Sequence, residues 1–118
     1  MVVVDGANVV GSVPDGWWRD RRGAAERLRD RLARYPDPAE VVLVVEGAAR
    51  GVASGPGVRV ESASGSGDDR IVELVRDEGR GRRCLVVTAD RGLRARVTAL
   101  GAEVVGPRSV TQLDRDPG

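Results

Sequence analysis

Met1-Val2-Val3-Val4-Asp5-Gly6-Ala7-Asn8-Val9-Val10-Gly11 decides how the rest of this chain is read. Three β-branched apolar residues run straight into an acid, and a glycine-containing turn then leads to Asn8. An unbroken apolar run of this kind reads as a strand buried on both faces of a parallel sheet, ending at Asp5. Ligands of open α/β sheets bind outside the carboxyl ends of the strands, so Asp5 is a candidate centre for an acidic pocket.

Working outward, the same punctuation recurs. Val41 to Val45 is a second buried strand and ends in Glu46-Gly47; Val58 to Val60 is a short third; Cys84 to Val87 is a fourth, followed by Thr88-Ala89-Asp90; Val104-Val105 is a brief fifth. Between them, apolar residues return at helical spacing over about Trp18–Tyr35 (Ala24, Ala25, Leu28, Leu32), Asp68–Glu78 (Ile71, Val72, Leu74, Val75) and Arg91–Leu100 (Leu93, Val97, Leu100), with a final helical turn over Ser109–Leu113. Pro36 and Pro38 stop the first of these helices, and Gly101 ends the third. Strands alternating with helices predict an α/β fold with a central parallel sheet, and right-handed crossovers put every strand's carboxyl end on one edge. Residues 1–113 are expected to form one domain and 114–118 a polar, frayed tail.

Composition narrows the chemistry. The 118 residues include no lysine, no histidine, no phenylalanine and one cysteine, so all 19 basic residues are arginine. A zinc site of the usual His/Cys kind, a Ser-His-Asp triad and a P-loop lysine are excluded. One cysteine forms no intrachain disulfide, and neither a transmembrane-length apolar run nor a secretory leader is evident, so a cytoplasmic location is expected. The lysine-free, Ala/Gly/Val/Arg-rich composition is associated with GC-rich bacterial genomes. Carboxylates, amides, hydroxyls and guanidiniums remain, a set that suits hard cations such as Mg²⁺ or Mn²⁺.

Asp5, Asp68, Asp69 and Asp90 are the candidate metal ligands, with Asn8 beside Asp5 as a further catalytic and substrate-contacting group. Each has an ordinary explanation too: an Asx-turn at Asp5, helix capping at Asp68-Asp69 and at Asp90. Those explanations do not predict convergence. Carboxylates gathered on one rim repel each other unless protonated or bound to a divalent cation, and such a cation can polarise a phosphodiester and activate a water. Glu46 ranks below the aspartates as an outer acid or turn residue. Arg50, Arg70, Arg91 and Arg94 are candidates for holding phosphates. Trp17 and Trp18, next to Arg19, Arg21 and Arg22, have the composition of a basic-aromatic platform for single-stranded nucleic acid, but packing of the helix entry against the sheet is the preferred reading.

Asp5-Gly6-Ala7-Asn8, Gly67-Asp68-Asp69-Arg70-Ile71-Val72 and Val87-Thr88-Ala89-Asp90-Arg91 together resemble the NYN domain family, PIN-like ribonucleases that include the bacterial YacP proteins. The resemblance covers nearly the whole chain. It implies a three-layer PIN-like fold with sheet order 3-2-1-4-5, and Mg²⁺- or Mn²⁺-dependent RNA cleavage with Asp5, Asn8, Asp68, Asp69 and Asp90 as the site. Some relatives carry an acid four residues after the Asp90 position, where this chain has Arg94. RNA is the implied partner, no membrane is, and a homodimer or an accessory protein partner stays compatible with the sequence. The alternatives are a catalytically weak or inactive RNA-binding module and a nucleotide phosphohydrolase using the same metal site.

Overall fold

The structure, a computed structural model, describes residues 1–36 and 39–113. The expected stop at Pro38 and the expected tail 114–118 lie outside the described residues. Five parallel strands, β1 (Val2–Asp5), β2 (Val41–Val45), β3 (Val58–Ser62), β4 (Leu85–Val87) and β5 (Glu103–Val105), form one sheet in the order β3-β2-β1-β4-β5. This is the expected order, and β1 is central.

Period-2 alternation along the valine strands divides the core into two layers. Val2, Val4, Val41, Leu43, Val45 and Val87 face one side, where α1 (Gly6–Gly11), α2 (Arg21–Leu32) and α5 (Arg108–Thr111) contribute Val9, Leu28, Leu32 and Val110. Val3, Val42, Val44 and Val86 face the other, covered by Ile71, Leu74 and Val75 of α3 (Gly67–Glu78) and Leu93 and Val97 of α4 (Arg91–Thr98). A strand buried on both faces must be apolar at every position, which explains why β1 and β2 are runs rather than alternations.

Three local expectations are corrected. The segment after Asp5 is not a turn but the six-residue helix α1, which begins with no intervening loop. Gly6 permits this: a β-carbon there would sit 2.5 Å from the Val44 carbonyl oxygen. The helix expected from Trp18 is divided into a 3₁₀ turn, Trp17–Arg19, and α2, because Asp20 accepts the Gly23 N–H at 2.9 Å and starts a new helix. Trp18 is 55% exposed and does not pack the helix entry against the sheet. Among the described residues, no helix is long and apolar enough to cross a membrane.

Candidate active site at the carboxyl end of β1 and β4

Asp5 pairs with Val44 on the β2 side, and the β1–β4 register ends with Val4 opposite Val87. The next step of that register brings Thr88 to Asp5, at the point where the strand order reverses. The Thr88 hydroxyl donates to Asp5 Oδ2 at 2.8 Å, and the Asp90 N–H donates to Thr88 Oγ1 at 3.1 Å. The Asn8 N–H donates to Asp5 Oδ1 at 3.4 Å, so Asp5 caps α1. Asn8 Oδ1 accepts the Ala89 N–H at 2.8 Å and ties the β1 and β4 exits together.

Asp5 is 4% exposed, and burial pushes its pKa up to about 6 against the two hydrogen bonds. Repulsion from Asp68 and Glu46 pushes in the same direction. Asp68 is raised as well, first by partial burial and then by Asp90 and Glu46. These acids feel one another across three strand exits, and among the described residues no arginine is hydrogen-bonded to Asp5.

The capping explanations separate on inspection. At α3 the cap is Ser66, whose hydroxyl accepts the N–H groups of Asp68 and Asp69 at 3.1 and 3.4 Å. Glu46 Oε2 accepts the Gly67 N–H at 3.2 Å, so the acid ranked lowest in the sequence fastens the start of α3 to the end of β2. The Asp68 carboxylate is therefore not used as a cap. Asp90 does cap α4, accepting the Leu93 N–H at 2.9 Å. Asp69 is exposed and accepts from Arg96 Nη1 at 2.9 Å. Thus Asp5, Asp68, Asp90 and Glu46 share the rim, while the Asp69 side chain is committed to α4.

The arginines divide similarly. Arg70 pairs with Glu61 at 3.0 Å and Glu73 at 3.6 Å, and Arg50 donates to the Gly47 carbonyl at 3.3 Å. Arg91 and Arg94 are exposed on the first turn of α4 and have no ion pair among the described residues. Thr88 is a site residue that the sequence pattern does not single out. Its only local signal is a hydroxyl-bearing residue directly after an apolar strand, two positions before an acid.

An all-oxygen, acidic donor set fits a hard divalent cation. Among the described residues, no three His, Cys, Asp or Glu side chains stand together as a ready metal cage.

Two solved structures share this architecture. Rae1 (YacP) from Bacillus subtilis superposes with a TM-score of 0.77, covering 98% of this chain and 75% of that one at 21% identity. A single-substitution variant of the same protein gives 0.73, covering 97% and 76%, also at 21% identity. The likeness establishes a PIN-like fold. No family model matches the chain, and no curated protein is significantly similar to it in sequence.

Proposed function

We propose that this chain, built on the fold of Rae1 (YacP), is a metal-dependent endoribonuclease whose residues 1–113 act as one cytoplasmic domain. The observation that carries the reading is Asp5: a buried carboxylate at the switch point, raised by burial and by Asp68 and Glu46, with no basic partner among the described residues to neutralise it. Structural acids are normally paired; a set left repelling one another is poised for a cation. The resemblance of the three acidic motifs to the PIN-like ribonucleases supports the same reading, and the fold match to a YacP protein agrees with it.

In this account Asp5, Asp68 and Asp90 hold Mg²⁺ or Mn²⁺, with Glu46 behind them and Asp69 contributing charge from the adjoining helical position. When bound, the ion supplies Lewis acidity for a phosphodiester and lowers the pKa of a water to make it nucleophilic. Thr88 fixes the Asp5 carboxylate and links it to the Asp90 backbone. Asn8 locks the two exits in register and turns its amide toward substrate. Arg91 and Arg94 take the phosphates beside the scissile bond, with Arg50 and Arg70 further along the strand.

Labelled RNA incubated with Mn²⁺ or Mg²⁺ tests the proposal: wild type cleaves, and Asp5→Asn and Asp90→Asn do not. Cleavage that persists in both variants overturns the site. The second reading is a binding-only module, favoured by the lack of a ready metal cage among the described residues. RNA binding without turnover in any divalent cation would establish it. Nucleoside triphosphates assayed beside RNA separate both from a nucleotide phosphohydrolase.

A further inference from the structure

Beside the acidic rim, on the α1/α2 side of the sheet, a half-open cleft of about 270 Å³ adjoins Asp5 through its neighbour Gly6. Val10, Val45, Trp17 and Arg21 line it, and Glu46 is shared with the rim. The Arg21 guanidinium lies 5.4 Å from the Trp17 ring centroid, and that of Arg19 lies 5.8 Å from the Trp18 ring. The two indoles meet edge to face, centroids 6.0 Å apart at 88°. They account for both tryptophans of a chain that has only 3% aromatic residues.

We propose that this cleft receives one unpaired base of a single-stranded RNA, stacked on Trp17, with the adjoining phosphates passing Arg19 and Arg21. Its size is the first argument. The volume falls below the roughly 300–1,000 Å³ of pockets for drug-sized ligands, which suits one flat ring rather than a folded peptide segment. Its chemistry is the second: Trp17 and the Arg21 guanidinium over its ring line the cleft, with the Arg19–Trp18 pair adjoining, a combination of indole and guanidinium that unstacked bases and their phosphates select. Continuity is the third, since Glu46 belongs to both cleft and rim and Gly6 adjoins Asp5, so a base held here delivers the next phosphodiester toward Asp5. That last step rests on the nuclease reading; base binding does not. A base inside a duplex cannot enter, so the cleft makes single strands the substrate class.

The test is a titration of an oligoribonucleotide into the protein in EDTA, following tryptophan emission. Saturable quenching is expected, and Trp17→Ala weakens binding about 5- to 150-fold, the range of one lost base stack. Ala49→Leu, which fills the cleft and keeps both indoles, weakens it in the same direction, while Trp17→Phe retains most of the affinity. The same sequence as a duplex binds at least about 10-fold more weakly than as a single strand. Single-stranded DNA that quenches equally well supports recognition through the base. Unchanged binding in both Trp17→Ala and Ala49→Leu overturns the proposal, as does equal affinity for the duplex or for a free mononucleotide. The two readings fail separately. Quenching without cleavage in any divalent cation removes the nuclease and keeps the cleft; metal-dependent cleavage with wild-type binding in both cleft variants does the reverse.

Discussion

Two groups of acids in this molecule meet opposite treatment. On the β3/α3 flank, Arg59 donates to Glu61 and Glu78, and Arg70 reaches the same Glu61 at 3.0 Å. Arg59 hydrogen bonds hold Glu78 below the ordinary carboxylate range. Burial works to raise Glu61, but hydrogen bonds from Arg59 and Arg70 outweigh it. At the carboxyl end of β1 the same chain leaves Asp5 and Asp68 raised and mutually repelling, with only Arg96 acting against the shift at Asp68. The β3/α3 acids are held by guanidiniums, whereas burial and neighbouring acids outweigh the one arginine, Arg96, that acts on Asp68; this contrast is what the proposed cation site rests on.

The largest expected effect comes from removing an acid of the rim. Asp5→Asn and Asp90→Asn should each lower RNA cleavage by more than about 100-fold, beyond the roughly 10–100-fold typical of groups that only support a metal ligand. Thr88→Val sharpens the contrast: it touches no substrate, yet it strips Asp5 Oδ2 and the Asp90 N–H of their partner. Activity should fall about 10–100-fold and stability by about 1–3 kcal/mol, read by cleavage rate and denaturant unfolding.

Stability separates the regions by sign. The folded pKa of Asp5 lies above its unfolded value of 3.8, so the native state binds a proton more tightly than the unfolded chain. Its contribution is intact below about pH 4, declines as pH rises toward 6, and is a full penalty above that. Without metal, Asp5→Asn should therefore be more stable than wild type at pH 8, by at most about 3 kcal/mol, with the gain vanishing near pH 4. Unfolding curves at the two pH values check this. Arg59→Ala should do the reverse and do least: its partners are partly exposed, so a loss of about 1 kcal/mol is expected with cleavage unchanged.

What the sequence disclosed depended on how local the signal was. The valine runs identified β1 and β2 because burial on both faces leaves no room for polar residues. Asp68 and Asp69 could not be told apart as neighbours, yet successive residues on a helix diverge by about 100°. Asp68 is left on the rim and Asp69 meets Arg96. Thr88 acquires its role only when β4 pairs with β1, a contact between residues 83 positions apart. Glu46 likewise becomes the fastener of α3 through a bond spanning 21 positions. The break at Asp20 was legible as a capping residue but was obscured by the apolar pattern running through it.

The most direct measurement of the central claim needs no substrate. Titrating Mn²⁺ at pH 7.5 while recording Tm should raise the wild-type value in proportion to ion binding. Asp5→Asn, starting from an equal or higher Tm, should show little of that rise. Equal rises in both proteins, or a wild-type Tm indifferent to millimolar Mn²⁺, would contradict a cation site at the end of β1.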